Sequence, residues 1–164
     1  ALCTASSKTD QAAVDRILGT IERAMAEGAG ELVLGGNRIG GELASGFYVE
    51  PTVFADVDNC SPLAQQETFG PVVSVLRFHD DAEAVELAND TRYGLNAFVH
   101  TTNLHRAHVV SRQLQAGSVW VNTRSDIQPQ GPYGGYKHSG IGRSGGIEGL
   151  REFRQTKNIR IKVS

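Results

Sequence analysis

The sequence predicts an α/β protein in which a mostly parallel sheet is flanked by helices. Two observations predict this class. Strand-like and helix-like segments alternate along the 164 residues, and the strand-like segment 70–78 (GPVVSVLRF) is β-branched and almost continuously apolar. Strand, helix and strand in short succession imply right-handed crossovers between parallel strands. An unbroken apolar run is typical of a strand that is covered on both faces. No repeat or linker divides the chain, so we expect one domain.

The first elements are a helix and two strands. Asp10 is a candidate N-cap, and Gly28 or Gly30 can end the helix. Its core-facing positions recur at spacings of three and four residues and are Val14, Ile17, Leu18, Ile21 and Ala24. The segment 31–36 (ELVLGG) predicts a short strand closed by glycines. In the segment 46–57 (GFYVEPTVFADV), Pro51 predicts an edge strand or a bent strand.

The second half continues the alternation after the strand at 70–78. Helices are predicted in residues 80–94 and 103–117, and strands in residues 95–101 and 118–122. The acidic first turn of the helix at 80–94 is favourable for the helix macrodipole. Residues 123–146, rich in glycine and proline, predict one long irregular loop, which in a compact domain is usually functional or mobile. A short helix at 148–154 and a terminal strand, NIRIKV, complete the prediction.

Charge and composition narrow the class of partner. The net charge is −2 and no basic face or tail is present, so we expect neither nucleic acid nor an anionic membrane as a partner. No apolar run approaches the roughly 20 residues that a membrane-spanning helix requires. The only cysteines are Cys3 and Cys60, which make no disulfide framework. We therefore expect a cytoplasmic protein.

The segment 65–75 (QQETFGPVVSV) carries the strongest chemical signal. The carboxylate of Glu67 could accept hydrogen bonds from two neighbouring sugar hydroxyls, and the ring of Phe69 could lie against a flat heterocycle. The same residues also fit a surface glutamate and a core phenylalanine in a turn. The residues alone leave both interpretations open.

Two further patterns do not predict a ligand site. A G-x-G-x-x-G pattern at Gly140, Gly142 and Gly145 lacks the preceding strand and the long following helix of a dinucleotide fingerprint. It is interpreted as a turn-rich loop. His105 and His108 share a helix face, but no third ligand stands at metal-binding spacing, so we expect a solvated face and no metal.

Several segments, taken together, resemble one known family. They are QQETFGPVVSV, YGLNAFVHTTN, LQAGSVWVN, PYGGYKHSGIGRSGG and EGLREFRQTKNI. The chain is similar to the carboxyl-terminal part of the NAD(P)-dependent aldehyde dehydrogenase superfamily, with the segments in family order over essentially all 164 residues. The resemblance implies a partial catalytic domain in residues 1–164, without the cofactor-binding domain.

The resemblance also implies roles for individual residues. Glu67 would hold the ribose hydroxyls on the nicotinamide side of NAD or NADP, and Phe69 would pack near the nicotinamide. Residues 123–128, with Ser125, Asp126 and Ile127, would lie on the wall of the aldehyde tunnel. The segment 157–164 would be an oligomerisation strand, through which the chain associates with a neighbouring subunit.

Two departures from the family pattern concern the reaction and the substrate. Many members have Glu after the Gly-Arg of the last motif, where this chain has Ser144. If that Glu takes part in a proton relay, this chain does without it. The tunnel segment TRSDIQPQG is more polar than the aromatic versions of fatty-aldehyde enzymes, which leaves the aldehyde open.

Cys3 resembles the family nucleophile only in its immediate neighbours. It stands 11 positions before Val14, whereas several tens of residues separate the nucleophile from this helix in the family. The Gly-Gln that precedes that nucleophile is replaced by Ala1-Leu2. We therefore reject Cys3 as the nucleophile, and Cys60 is no better placed.

The nucleophile, the catalytic base and the cofactor domain are therefore expected upstream of Ala1. The isolated chain is expected to be inactive and to hold no cofactor tightly. The alternative is a stand-alone, non-catalytic module for oligomerisation or protein binding.

Overall fold

The computed structural model describes residues 6–163. They belong to two compact units, one ending at His79 and the other beginning at Asp80. The amino-terminal unit contains β1 (Ser6–Ser7), α1 (Gln11–Ala26), β2 (Glu31–Leu34), β3 (Tyr48–Val49), β4 (Thr52–Ala55), α2 (Pro62–Gln65) and β5 (Val72–Ser74). The carboxyl-terminal unit contains α3 (Asp81–Asn89), β6 (Asn96–Val99), α4 (Leu104–Gln113), β7 (Ser118–Val121) and α5 (Gly146–Glu152).

Helix α1 forms as its sequence predicts. The side chain of Asp10 accepts a hydrogen bond from the backbone N–H of Ala13 at 2.8 Å, which caps the first turn. After the helix, Gly28 has a φ of +64° and turns the chain. The apolar face of α1 packs into a core whose buried members are Val14, Ile17, Ile21, Ala24, Ala29, Val49, Phe54, Val57 and Leu63. Burying each large side chain of this kind stabilises a fold by about 1.5–3 kcal/mol.

The sheets are smaller and more mixed than the predicted, mostly parallel sheet. Strands β2, β4 and β5 form one sheet, in which β2 and β4 are antiparallel and β4 and β5 are parallel. Strands β1 and β3 form a second, antiparallel pair, and β6 and β7 form a third, parallel pair. Pro51 lies between β3 and β4, at the point where the chain changes from one sheet to another. The segment predicted as one edge or bent strand is therefore interrupted at this proline, and β4, which lies between β2 and β5, is not an edge strand.

Strand β5 corrects one prediction. It pairs in parallel as expected, but it is not covered on both faces, because Val73 is 54% exposed. Val73 is in register with Val53, which is in turn in register with Leu34. Paired residues share a face of the sheet, so these side chains form an apolar outer face of the amino-terminal unit.

In the carboxyl-terminal unit, α4 packs on α3 and on the β6–β7 pair. Asp80 caps α3, and Asn103 caps α4. The rings of Phe98 and Trp120, which are paired across β6 and β7, stack with centroids 5.2 Å apart. Within residues 6–163, no helix combines the length and the apolar character that crossing a membrane requires.

The last forty residues differ in part from their prediction. Residues 123–145 are irregular apart from a short 3-10 turn at Lys137–Ser139 and an isolated bridge between Tyr133 and Ser144. Helix α5 begins two residues earlier than predicted. The segment that follows it up to Val163 forms no strand, so the predicted terminal strand pairs with no other strand among residues 6–163. Whether it pairs with a neighbouring subunit stays a prediction.

Candidate functional site

The turn that contains Glu67 and Phe69 connects α2 to β5. Ser61 caps α2 by accepting a hydrogen bond from the N–H of Ala64, and Leu63 buries the helix against the core. Gln66 has an extended backbone that ends α2 after a single turn. The chain then crosses the surface, so that Glu67 and Phe69 are both exposed before β5 begins.

Phe69 has an unusual backbone conformation. Its φ is +48° and its side chain is 73% exposed. A bulky residue in the left-handed region is strained by about 1–3 kcal/mol, and such residues concentrate at functional sites. Two costs therefore coincide at Phe69: its backbone is strained, and its aromatic ring is exposed to solvent although burial would be favourable.

Helix α1 packs against this turn. A Cβ atom on Gly70 would lie 2.8 Å from Cδ1 of the buried Ile17, so only glycine allows the chain to approach the helix this closely. The guanidinium of Arg16 donates to the carbonyl oxygen of Thr68, and its second nitrogen lies 3.5 Å from the carbonyl oxygen of Phe69. Sequence reasoning missed Arg16 because 52 positions separate it from Thr68.

The carboxylate of Glu67 has no hydrogen bond or ion pair with any other residue of the part of the chain described here. It lies two residues from the exposed ring of Phe69, on the same turn. An unpaired carboxylate can accept two hydrogen bonds from vicinal hydroxyls, and an exposed ring can cover a flat heterocycle. Both parts of the sequence-based hypothesis are therefore accessible, and the alternative of a core phenylalanine is wrong.

The predicted tunnel-wall segment lies in the carboxyl-terminal unit and is fixed at both ends. Before it, the side chain of Asn122 is hydrogen-bonded to the backbone of Thr101. After it, the N–H of Gly146 donates to the carbonyl oxygen of Pro129 at 2.9 Å. The candidate residues between these anchors, Ser125, Asp126 and Ile127, are all exposed.

Two of these three candidates line a groove of about 330 Å³. Asp126 and Ile127 form one side of it, whereas Ser125 lies outside the lining. Sequence reasoning missed the aromatic members of the lining, which come from β7 and from the loop: Trp120 and Tyr133. Asp126 is held by a 2.6 Å hydrogen bond from the side-chain amide of Gln128.

Ser144, where many family members have Glu, lies in the same loop. Its backbone exchanges two hydrogen bonds of 2.7 Å with Tyr133, and its hydroxyl donates to the carbonyl oxygen of Tyr133. The carboxylate of Glu152 accepts a hydrogen bond from the backbone N–H of Arg143, the residue before Ser144. Both residues line a wider groove of about 910 Å³ beside α5.

The remaining sequence candidates form no site. Cys3 lies outside the described residues. Cys60 is exposed in a turn in which its N–H donates to the carboxylate of Asp58 at 2.9 Å. His105 and His108 lie on α4, and among residues 6–163 no three His, Cys, Asp or Glu side chains are grouped so that they could hold a metal ion.

Comparison with known proteins identifies the family. The model of the aldehyde dehydrogenase family matches residues 3–159. Among solved structures, the chain is similar to a mutant P. syringae indole-3-acetaldehyde dehydrogenase in complex with NAD+ and IAA, with 43% identity and a TM-score of 0.87 over 96% of this chain and 31% of that one. An NAD-dependent aldehyde dehydrogenase from Sinorhizobium meliloti shows 41% identity and a TM-score of 0.87 over 94% and 30%.

A third similar structure is a Mycobacterium tuberculosis aldehyde dehydrogenase complexed with NAD+, with 42% identity and a TM-score of 0.83 over 89% of this chain and 30% of that one. The chain thus spans about a third of the length of the enzymes it matches. The family model covers nearly all of the chain, and both the sequence identity and the fold agree with it. The chain belongs to the aldehyde dehydrogenase family.

Proposed function

We propose that this chain is the carboxyl-terminal part of a cytoplasmic, NAD(P)-dependent aldehyde dehydrogenase. The parent enzyme oxidises an aldehyde to a carboxylic acid through a cysteine thioester. One observation supports this role most directly: the turn before β5 exposes an unpaired carboxylate, Glu67, beside a strained aromatic residue, Phe69. Similar enzymes have been solved in complex with NAD+, which supports a dinucleotide as the ligand of this turn.

Two residues of the turn bind different parts of the cofactor. NAD or NADP, when bound, supplies the hydride acceptor. Glu67 accepts hydrogen bonds from the two ribose hydroxyls next to the nicotinamide, which fixes the sugar. Phe69 covers the nicotinamide with its ring and excludes water from that side. Fixed orientation of the reacting groups lowers the barrier of the hydride step.

The segment 123–128 contributes to the aldehyde side of the parent's site. It carries the polar side chains of Ser125 and Asp126 and the apolar side chain of Ile127, which is 56% exposed. Its anchors at Asn122 and Pro129 hold the backbone at both ends, while the three side chains are exposed and can contact a substrate. A wall of this composition suits an aldehyde with polar groups better than a long alkyl chain.

The chain by itself is proposed to be inactive. The thioester route requires a thiolate, a base for hydrolysis and a bound dinucleotide. These groups are proposed to lie upstream of Ala1. A second candidate function, a non-catalytic module for self-association, is favoured by the exposure of Ile159, Ile161 and Val163.

The DNA upstream of the Ala1 codon separates the two functions. An in-frame sequence with a dinucleotide-binding domain and a Gly-Gln-x-Cys segment is expected. An independent start codon immediately before this chain would favour the module. In parallel, the absorbance of reduced cofactor is followed with the purified chain, NAD or NADP, and a panel of aldehydes. No turnover is expected; turnover that is abolished by Cys3→Ala would show that Cys3 is the nucleophile after all.

A further inference from the structure

Four residues other than glycine have a positive φ within the described part of the chain: Asp56, Phe69, Asn122 and Lys137. Asp and Asn enter this region readily. Lys137 is compensated, because its ammonium group donates to the carbonyl oxygens of Asn89 and Thr91 at the end of α3. Phe69 does not tolerate a positive φ as Asp and Asn do, and its side chain makes no hydrogen bond as that of Lys137 does. Another residue must therefore hold its conformation.

Arg16 provides that restraint. Its guanidinium donates to the carbonyl oxygen of Thr68 and reaches that of Phe69, so it contacts the peptide groups on both sides of the Phe69 Cα atom. A guanidinium is planar and always charged, and it can bind two acceptors at once. Hydrogen bonds from a charged donor are about twice as strong as those between neutral groups.

The position of Arg16 is itself fixed by the core. The next residue, Ile17, is fully buried, and its side chain lies directly against Gly70. This contact fixes the position of helix α1 relative to the turn. Arg16 lies one helical position away, and its guanidinium contacts the two residues directly before Gly70. The restraint therefore acts on Thr68 and Phe69, while Ile17 fixes the following residue.

We propose that Arg16 is a positioning residue of the cofactor site. By binding the carbonyl oxygens of Thr68 and Phe69, it holds Phe69 in the left-handed conformation that directs its ring outward. This inference rests on the proposed function, in which that ring covers the nicotinamide. Arg16 itself need not touch the cofactor; it acts through the backbone of the turn.

The backbone part of the proposal is tested on this chain by NMR. The coupling between the amide and α protons of Phe69, with its Cα and Cβ shifts, reports φ. Arg16→Met is expected to move Phe69 out of the left-handed region, and Arg16→Lys is expected to restore it in part. The matched control is Arg23→Met, at an exposed arginine seven residues further along α1, whose side chain has no hydrogen bond or ion pair among the described residues; it should leave Phe69 unchanged. A positive φ that persists in Arg16→Met overturns the proposal.

The functional part is tested by single-turnover hydride transfer in the full-length parent. Arg16→Met is expected to slow hydride transfer about tenfold while changing the affinity for NAD less, because the ring is misplaced but the other contacts remain. Phe69→Ala should slow it similarly, and the double variant should be no slower than either single one.

The outcomes separate the two proposals. If Phe69→Ala leaves the hydride rate unchanged, the role of Phe69 in the proposed function is wrong, whatever the NMR shows. If Phe69→Ala slows the step but Arg16→Met does not, Arg16 is not a positioning residue. If the two effects add in the double variant, Arg16 acts independently of Phe69, and the proposal is also overturned.

Discussion

The side chain of Asn122 is bonded to both backbone groups of Thr101. Its Oδ1 accepts from the N–H of Thr101 at 2.9 Å, and its Nδ2 donates to the carbonyl oxygen of Thr101 at 2.8 Å. Strands β6 and β7 have already ended at Val99 and Val121, so the amide extends the parallel ladder by one more pair. The φ of Asn122 is +53°, and from here the chain enters the predicted tunnel-wall segment.

Asn122→Asp is expected to destabilise the carboxyl-terminal unit by about 1–2 kcal/mol. The carboxylate keeps an acceptor for the N–H of Thr101, but it places a second oxygen against the carbonyl oxygen where Nδ2 donated. Asn122→Gly separates the backbone contribution, because glycine tolerates the positive φ while losing both bonds. Urea unfolding followed by the fluorescence of Trp120, the only tryptophan in the sequence, measures both variants. Equal stability of Asn122→Asp and the wild type would show that the Nδ2 bond is unimportant.

Substitution by alanine is expected to change stability in opposite directions at two glycines. Gly19 lies inside α1, and a Cβ atom there would have no neighbour within 4 Å. Gly19→Ala should stabilise the amino-terminal unit by about 0.5–1 kcal/mol through helix propensity. A Cβ atom on Gly117 would lie 1.7 Å from the carbonyl oxygen of Gly134. Gly117→Ala should therefore destabilise the carboxyl-terminal unit by at least about 3 kcal/mol.

Circular dichroism and Trp120 fluorescence, recorded in the same urea titration, measure the two glycine variants. A neutral Gly117→Ala would mean that the loop moves away from β7 without loss of stability. A destabilising Gly19→Ala would contradict the open space seen around that position of α1.

The sequence predicted those elements whose causes are local. The cap at Asp10 and the spacing of the apolar residues that follow it determine α1 within one segment, and the structure has the same helix. Pro51 similarly indicated an irregularity, and the chain is interrupted there between β3 and β4. These features depend on a few neighbouring residues, which the sequence shows directly.

Features that depend on distant residues could not be predicted in the same way. An apolar run such as β5 indicates a strand, but its burial depends on what covers it, and Val73 is half exposed. The left-handed conformation of Phe69 depends on Arg16, which is brought close only by the packing of α1. The family motif identified Glu67 and Phe69, but nothing in the motif includes the residue that supports them.

Glu67→Gln in the full-length parent is expected to slow hydride transfer more than it weakens cofactor binding. The amide keeps one acceptor oxygen but loses the charge that strengthens bonds from the ribose hydroxyls, so the nicotinamide is held less firmly. A fall of about tenfold in the single-turnover rate is expected. Glu22→Gln is the control, since Glu22 is an exposed carboxylate on α1, six residues beyond Arg16. An unchanged rate in Glu67→Gln would show that Glu67 is only a surface residue.

The terminal segment 157–164 is expected to make the chain associate with itself. Ile159, Ile161 and Val163 are 72–88% exposed and alternate with polar residues, so in an extended conformation one face is apolar. Such a segment, which pairs with no strand among residues 6–163, favours pairing with another copy. Sedimentation equilibrium over a wide concentration range should show a dimer or a larger oligomer that dissociates when residues 157–164 are deleted.

A matched pair of substitutions separates the apolar face from a general effect of the terminus. Ile161→Ser should weaken association because it removes apolar area from the pairing face, whereas Arg160→Ser, on the opposite face of an extended segment, should leave it nearly unchanged. Both residues are exposed in the single chain, so neither substitution should alter its stability by more than about 0.5 kcal/mol. A wild-type chain that stays a single monomeric species of 17.6 kDa at every concentration, with the deletion variant equally monomeric at its own smaller mass, would show that the terminal segment does not pair between copies of this chain.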